Sequence, residues 1–280
     1  MENNTFFKDR FKDKVMIITG AATGIGRATA LRAAKEGAKL VLVDVKKEEG
    51  NQTLQDVLNL GAEAIFLNYD ISKEENAKLM VEKIIEKFGE LHIAVNNAGV
   101  MGNPGPIHEV TKENLDFTMN NNFFSVFFCC RHEIIQFMKQ NKGGVIVNNA
   151  SIAGLVGVPG SPSYVSSKHA VNGLTKNLAL DYAKFGIRVN SVNPSSTDTP
   201  MVDAAMIFVK ERISAAIAKG LDPKMAMSMA GHKTKSILRQ FSEKDPSASE
   251  QAASILFLAS EDSSHMTGAT LQTDGGWTSF

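Results

Sequence analysis

Two side chains that can carry out proton transfer stand four residues apart, in the segment Tyr164-Val165-Ser166-Ser167-Lys168. On a helix, positions i and i+4 share a face, so the ammonium of Lys168 can lie beside the phenol of Tyr164 and favour its ionised form. An unperturbed phenol has a pKa of about 10, and moving it to near neutrality requires about 4 kcal/mol of differential stabilisation. One cation in a partly dry cleft can supply much of that energy. A phenol tuned in this way can donate a proton to a ketone or accept one from an alcohol.

A tyrosine and a lysine at this spacing also occur on helices without a catalytic role. Other parts of the chain must therefore show whether this pair is catalytic. Near the N-terminus an apolar run at 15–18 is followed by a glycine-rich turn and then by helical periodicity as far as Gly37. Glycines let the backbone approach a pyrophosphate closely, and a helix N-terminus offers it free N–H groups and partial positive charge. The turn, Gly20-Ala21-Ala22-Thr23-Gly24-Ile25-Gly26, lacks the general G-x-G-x-x-G spacing. The strand before it and the helix after it are nevertheless the context that a dinucleotide site requires.

An acidic residue, Asp44, follows the second apolar run directly. In a βαβ dinucleotide site, an acid at this place accepts hydrogen bonds from the adenosine ribose hydroxyls and repels a 2′-phosphate. Asp44 therefore favours NAD over NADP, and no Arg or Lys lies in the glycine-rich turn before Gly24 to attract the phosphate. Lys46 and Lys47 follow closely, so the degree of tolerance for NADP stays open.

Further motifs complete a pattern that resembles the short-chain dehydrogenase/reductase family over nearly the whole chain, from about 11 to 276. Asn96-Asn97-Ala98-Gly99 is similar to a family signature that stabilises the sheet and lines the cofactor cleft. Ser151, thirteen residues before Tyr164, matches the family's catalytic serine, and Asn122 matches its helix asparagine. The resemblance implies a catalytic set of Asn122, Ser151, Tyr164 and Lys168. It implies no metal ion, because the tyrosine and the serine polarise the substrate oxygen.

The resemblance also implies which residues hold the cofactor, NAD. They come from the glycine-rich turn, from the ends of the following strands and from the loop after the sixth strand. In that loop Asn193-Pro194-Ser195 stands where the family usually has Pro-Gly. The set is Gly20, Thr23, Gly24, Ile25, Gly26, Asp44, Asp70, Ile71, Asn97, Ala98, Gly99, Tyr164, Lys168, Pro194, Thr197 and Thr199. In the family, Asp70 contacts adenine, Thr199 the nicotinamide carboxamide and Lys168 the nicotinamide ribose, while Asn122 holds a water that links Lys168 to solvent.

Apolar runs alternate with helical patterns along the chain and predict seven strands, at 15–18, 39–44, 64–68, 92–96, 144–149, 188–193 and 269–273. Such alternation predicts an α/β fold, a Rossmann-like doubly wound parallel sheet with helices on both faces in three layers. We expect an N-terminal extension at 1–13 and a single dinucleotide-binding and catalytic domain at 14–280, with a helical substrate lid at about 200–241. The lid region contains Met201, Met206, Met225, Met227 and Met229. Flexible thioethers suit a broad apolar pocket, although they would also serve to pack the lid on the body.

Bulk properties exclude several classes of partner. A formal net charge of zero gives no electrostatic reason to expect nucleic acid or an anionic membrane surface. Apolar stretches such as 123–130 are too short to span a bilayer, and the polar segment 1–14 is unlike a secretory or mitochondrial presequence. The adjacent Cys129 and Cys130 point in different directions on a helix, so we expect no structural disulfide and a cytoplasmic location.

The predicted activity is that of an NAD-dependent oxidoreductase that interconverts a secondary alcohol and its ketone by hydride transfer. The expected substrate is cyclic or bulky and apolar, such as a hydroxysteroid or an alicyclic alcohol. One alternative is an NADPH-dependent 3-oxoacyl thioester reductase, against which Asp44 argues. An alternative of another class is a catalytically silent NAD-binding interaction module, against which the complete catalytic set argues.

Aromatic residues predict assembly. The helical pattern at 114–138 carries more phenylalanine than one sheet face readily covers, so part of it should meet another subunit. In the family this helix and the Tyr/Lys helix build one twofold interface, while the last strand and the C-terminus build another. We therefore expect a homotetramer. The aromatics near the two chain ends, Phe6, Phe7, Trp277 and Phe280, are expected to dock on neighbouring subunits.

Overall fold

The computed structural model describes residues 6–222, 225 and 246–279. Seven parallel strands form one sheet in the order β3-β2-β1-β4-β5-β6-β7. They are β1 (Val15–Thr19), β2 (Lys39–Val43), β3 (Ala64–Leu67), β4 (Ile93–Asn96), β5 (Gly144–Asn149), β6 (Ile187–Pro194) and β7 (Thr270–Thr273). The strand order reverses between β1 and β4, and ligands of such sheets bind in the crevice at the carboxyl ends of the strands near this switch point. The prediction of an α/β Rossmann-like fold is confirmed. The first and last residues of every strand lie within one residue of their predicted positions.

Helices cover both faces of the sheet and make three layers. In the described residues they are α1 (Gly24–Lys35), α2 (Lys47–Asn59), α3 (Glu74–Phe88), α4 (Lys112–Met119), α5 (Ser125–Gln140), α6 (Pro162–Tyr182), α7 (Pro200–Ala218) and α8 (Ala248–Ala259). Because side chains alternate along a strand, Ile17 packs under α3, α5 and α6, while Met16 and Ile18 pack under α1 and α8. The strands are therefore apolar on both sides, as a parallel sheet between two helical layers requires.

Two local features position the catalytic residues. Pro162 starts α6, where its fixed φ suits the first helical position, so Tyr164 lies in the first turn and Lys168 one turn later. The single helix expected at 114–138 is divided by a π-helical segment, Asn120–Phe124, between α4 and α5. Single widened turns of this kind recur at functional sites, and this one carries Asn122.

The N-terminal end of the described chain contacts the domain itself. Phe11 is 1% exposed and belongs to the core, and the guanidinium of Arg10 lies 4.9 Å from the ring centroid of Phe7 while pairing with the buried Glu36. Phe6 and Phe7 are nevertheless 46% and 56% exposed. Phe280 lies outside the described residues.

The predicted lid is described in part. Residues 200–218 form α7, whereas 223–224 and 226–241 of the expected lid lie outside the described residues, and Met227 and Met229 lie there. No helix in the described part of the chain is both long and apolar enough to cross a membrane.

Candidate active site

Lys168 is buried beside the phenol with which the sequence pairs it. Its ammonium is 5.7 Å from the centroid of the Tyr164 ring and donates a hydrogen bond of 2.8 Å to the carbonyl of Asn149, at the end of β5. Burial lowers the pKa of Lys168 to about 8, because removal from water disfavours the charged form. The predicted proximity of the two side chains is therefore present in the fold.

Ser151 joins this pair from the loop that follows β5. It is buried, its Oγ accepts a hydrogen bond of 3.1 Å from the amide of Ala153, and it is hydrogen-bonded to Tyr164. Burial raises the pKa of Tyr164, and the hydrogen bond with Ser151 opposes that rise. The expected lowering of this pKa is therefore wrong for the protein chain alone, because desolvation of the phenolate outweighs the hydrogen bond. The phenol is held protonated at neutral pH, which suits a proton donor.

Asn122 holds the loop after β4 against α6. Its Oδ1 accepts from the amide of Val100 at 2.7 Å, and its Nδ2 donates to the carbonyl of Val100 at 2.9 Å and to Ser167 Oγ at 3.0 Å. Both amide hydrogens of Asn122 are used, so it could take a relay water only through an oxygen atom. A β-carbon on Gly99 would lie 3.1 Å from Asn122 Oδ1 and 3.5 Å from Lys168 Nζ. The three residues thus converge at one point of the crevice.

The glycine-rich turn is built by close backbone contacts with the Asn97 segment. A β-carbon on Gly26 would lie 2.0 Å from the carbonyl oxygen of Gly20, and one on Gly20 would lie 2.8 Å from the Cα of Ala98. The side-chain Nδ2 of Asn97 donates to the carbonyls of Thr19 and Gly20, at 3.0 and 3.2 Å. Only glycine fits these two places, so the turn brings the N-terminus of α1 to the carboxyl edge of the sheet.

This turn fits a dinucleotide. The first amide groups of α1 donate no hydrogen bond to the side chain of Thr23, the residue before the helix, and Ile25 and Gly26 lie in the first turn. Uncapped N–H groups at a glycine-rich helix start are suited to bind a pyrophosphate. The glycine-rich turn thus meets the first requirement for binding NAD or NADP.

The acidic residues predicted for the adenosine end lie at strand ends on the same edge. Asp44 Oδ2 accepts from the amide of Ala22 at 2.9 Å, which ties the carboxylate to the glycine-rich turn. Asp70 Oδ1 accepts from both the amide and the hydroxyl of Ser72, at 3.1 and 2.6 Å, and Ile71 beside it is buried. Both carboxylates are half-buried and face hydrogen-bond donors of their own chain.

The loop after β6 closes the other side of the crevice. A β-carbon on Gly24 would lie 3.3 Å from the methyl group of Thr199, so the glycine-rich turn and this loop are in contact. Thr199 Oγ1 donates to the carbonyl of Thr197 at 3.3 Å, and Ser151 Oγ lies 3.5 Å from the carbonyl of Pro194. The structure thus places the predicted residues of this loop between the turn and Ser151.

Several residues that organise the site were not predicted. Asn149 receives Lys168 with its carbonyl and donates to Asn97 Oδ1 at 2.8 Å, which links the ammonium to the glycine-rich turn. Asn172 donates to the carbonyl of Gly154 at 3.0 Å and to Asn193 Oδ1 at 2.9 Å, and so joins α6, the Ser151 loop and β6. The signal for Asn172 was its place four residues after Lys168, on the same helix face.

Metal binding gains no support from the described residues, among which no three His, Cys, Asp or Glu side chains are placed to hold a metal ion.

Comparison with known proteins agrees with this geometry. The sequence model of the short chain dehydrogenase family matches residues 14–207. This chain belongs to the short-chain dehydrogenase/reductase family. A 3beta-hydroxysteroid dehydrogenase of Mediterraneibacter gnavus is 40% identical over 277 residues, which cover 98% of each protein. The cyclohexanol dehydrogenase of an Acinetobacter species is 34% identical over 275 residues, covering 97% of each.

Solved structures show the same family resemblance. The crystal structure of levodione reductase matches with a TM-score of 0.82 and 33% identity, over 95% of this chain and 98% of that chain. The short-chain dehydrogenase described here is therefore an oxidoreductase that acts on alcohols. Members of its family generally bind NAD or NADP.

Proposed function

We propose that this short-chain dehydrogenase uses NAD to interconvert a cyclic or bulky apolar secondary alcohol and its ketone. The proposal depends above all on the contact between Tyr164 and Ser151 above the buried ammonium of Lys168. Three polar side chains of this kind, at the edge of a dinucleotide crevice, are what hydride transfer to a carbonyl requires. The same catalytic set argues against a silent NAD-binding module.

The residues of the catalytic set have different tasks. When bound, the nicotinamide ring supplies or accepts the hydride. Tyr164 donates its proton to the carbonyl oxygen in reduction, or removes the hydroxyl proton in oxidation. Ser151 donates a hydrogen bond to the same oxygen and stabilises the negative charge that develops there. Lys168 supplies a nearby positive charge and an N–H donor for the ribose hydroxyls. Asn122 fixes the backbone of the loop that follows β4.

The preference for NAD is proposed from Asp44. Its carboxylate follows β2 and is held against the glycine-rich turn by the amide of Ala22, at the place where a ribose 2′-group would lie. A phosphate there would face a negative charge, whereas a hydroxyl could donate a hydrogen bond to it. Lys46 and Lys47 are exposed, and their contribution to phosphate binding is for the cofactor assay to measure.

The substrate class is proposed from the relatives together with a cleft at the start of α6. The relatives and the solved structure are named for a hydroxysteroid, cyclohexanol and levodione, of which the first two are cyclic alcohols by name. A cleft of about 430 Å³ beside the start of α6 is lined mainly by apolar side chains, Pro106, Ile107, Val158, Pro159, Pro162 and Val165. Such a surface favours an apolar ring system over a charged thioester carrier.

A spectrophotometric assay tests the proposal. The purified enzyme is supplied with NAD or NADP and with cyclohexanol, a 3β-hydroxysteroid or a polyol, and reduced cofactor is followed by absorbance. We expect turnover of a cyclic alcohol, with kcat/KM at least about tenfold higher for NAD than for NADP. A preference for NADP would overturn the cofactor assignment, and turnover of polyols alone would overturn the substrate class.

We also propose a homotetramer in the cytoplasm. In the stretch formed by α4, the π-helical segment and α5, Phe117, Phe124 and Phe127 are 51%, 40% and 41% exposed, an unusual amount of aromatic surface to leave in water. The two cysteines are free and buried in α5, which suits a reducing compartment. Light scattering should give four times the chain mass of 30.3 kDa. A monomer would refute the assembly, and a dimer would leave only one of the two interfaces.

A further inference from the structure

The helix that follows the Pro194 loop, α7, is held to the domain with little burial. It contains no fully buried residue, and Ile207 and Ile217 are 59% and 40% exposed. Among the described residues, the hydrogen bonds from side chains of α7 to other elements all come from Arg212. Arg212 is therefore the polar attachment of this helix.

Arg212 reaches across to the segment between β4 and α4, residues 100–111, here called the rim loop. Its Nη1 donates to the carbonyl of Pro104 at 3.2 Å, and its Nη2 pairs with Glu109 Oε2 at 2.6 Å. A β-carbon on Gly105 would lie 2.8 Å from Arg212 Nη1, so glycine leaves room for the guanidinium there. A planar guanidinium carries several N–H donors in a fixed arrangement, so that of Arg212 can make both contacts at once.

The rim loop is joined at the same place to the loop that carries Ser151. The amide of Gly105 donates to the carbonyl of Gly160 at 2.7 Å, two residues before α6 begins. The three joined segments start at Val100 beside Asn122, at Ser151, and at Thr199 beside the glycine-rich turn. The contacts of Gly105 and Arg212 thus join the three segments that leave the catalytic crevice, at a distance from the reacting atoms.

The strength of the Arg212–Glu109 contact suits an attachment that has to release. The side chains of Arg212 and Glu109 are 35% and 41% exposed, so water screens their attraction. Pairs of this kind change an equilibrium by roughly fivefold or less. A contact of that size favours one position of α7 without preventing the opening that a bulky substrate needs to enter.

We propose that Arg212 is a positioning residue that clamps α7 to the rim loop through Glu109 and Pro104 and so sets the enclosure of the larger substrates. The inference rests on the proposed function for its substrate class. The clamp itself is a property of the chain and can be measured without any substrate.

Hydrogen exchange of the whole enzyme tests the clamp. In Arg212→Met, which keeps an apolar stem of similar length, amides of α7 and of the rim loop should exchange several-fold faster, while those of α6 stay unchanged. Lys210→Met is the matched control, because it removes a positive charge from the same helix at an exposed residue for which no contact is described. Unchanged exchange in Arg212→Met, or an equal increase in Lys210→Met, would overturn the clamp.

Steady-state kinetics test the effect on substrates. Arg212→Met and Glu109→Gln should each raise KM for a 3β-hydroxysteroid about fivefold, with kcat and NADH affinity within about twofold of wild type. The KM for cyclohexanol should change less, because a small ring does not extend to the clamp. The double variant should be no worse than Arg212→Met alone, since Glu109→Gln weakens a contact that Arg212→Met already removes. Additive effects on KM, or an equal loss of kcat for both substrates, would contradict the positioning role.

The two proposals fail in different ways. If wild type oxidises no cyclic alcohol while Arg212→Met still loosens α7 and the rim loop, the proposed function is wrong and the clamp stands without its substrate role. If wild type oxidises the steroid and Arg212→Met behaves as Lys210→Met does, the clamp is wrong and the proposed function is untouched.

Discussion

The base and the rim of the crevice are held together by different kinds of contact. The base consists of the ends of β4, β5 and β6 with α6, and many of its polar side chains are buried and hydrogen-bonded to side chains or backbone of these elements. Lys168 contacts Asn149, Asn122 contacts Val100, and Asn172 contacts Asn193. The rim consists of the rim loop and α7, which has no buried residue and is attached by an exposed ion pair.

This difference separates chemistry from selectivity. An unpaired buried polar group costs about 1–3 kcal/mol, so a base rich in such hydrogen bonds favours one arrangement of the proposed catalytic atoms. An exposed ion pair contributes about 0–1 kcal/mol, so the rim can move at little cost. Changes in the base should therefore act on turnover, and changes in the rim should act on substrate affinity.

The largest effect is expected at the phenol. Tyr164→Phe should fold and bind NADH but lose at least about a hundredfold in kcat, because it removes the proton donor and leaves the packing intact. The measurement is turnover of a cyclic ketone beside a fluorescence titration with NADH. Near-normal turnover would mean that the base does not hold the acid of the reaction.

A smaller loss, of roughly tenfold or more, is expected for Lys168→Ala. The ammonium stabilises the site by its charge and is proposed to bind the ribose, so both kcat and NADH affinity should fall. Ser166→Ala, two residues before Lys168 on α6 at an exposed position, is a suitable control. An unchanged dissociation constant for NADH would remove the ribose contact from the proposal.

Cofactor choice is expected to change by about tenfold at the edge of the base. Asp44→Ala removes the charge that would oppose a phosphate, so the ratio of kcat/KM for NAD to that for NADP should shrink by about this factor. Removal of the carboxylate also frees the amide of Ala22, so thermal stability must be measured beside the kinetics. A ratio that stays the same would assign the preference to other residues.

Beneath the base, the effect is expected in stability and its pH dependence. Glu133 is fully buried in α5, its Oε2 accepts from Asn96 Nδ2 at 3.0 Å, and burial raises its pKa to about 8. Between the usual carboxyl range and pH 8 the folded state binds one proton more than the unfolded state, so stability falls as pH rises through this window.

Glu133→Gln has no titrating group at this position. Its free energy of unfolding should therefore fall less between pH 5 and 8 than that of wild type, by up to about 1.4 kcal/mol per pH unit. Urea unfolding at several pH values measures both slopes. Equal slopes in the two proteins would show that Glu133 is ionised in the fold and that its burial is relieved by groups other than Asn96. Turnover at pH 7 should change little, because Glu133 lies outside the crevice.

Local sequence determined the sheet, the pairing of Tyr164 with Lys168 and the glycine-rich turn of this protein. Central strands such as β1 and β2 are apolar along most of their length because both of their faces are buried, and such runs made the strand ends readable to within one residue. Tyr164 and Lys168 share a helix, so spacing alone places them on one face. The residue type at Gly20 and Gly26 likewise indicates the local structure, because only glycine allows the backbone contacts found there.

Only the tertiary structure decided which contacts dominate inside the crevice. The direction of the Tyr164 pKa depends on how much water the fold removes, and burial reversed the expectation drawn from Lys168. Asn149, Asn172 and Glu133 meet partners that are 18 or more residues away, as in the contact between Asn172 and Gly154, and no local pattern records such pairs. The contact of Arg212 with Pro104, 108 residues away, is of the same kind. Local periodicity reports which side of an element is buried, whereas the identity of the neighbour is set by how the elements pack.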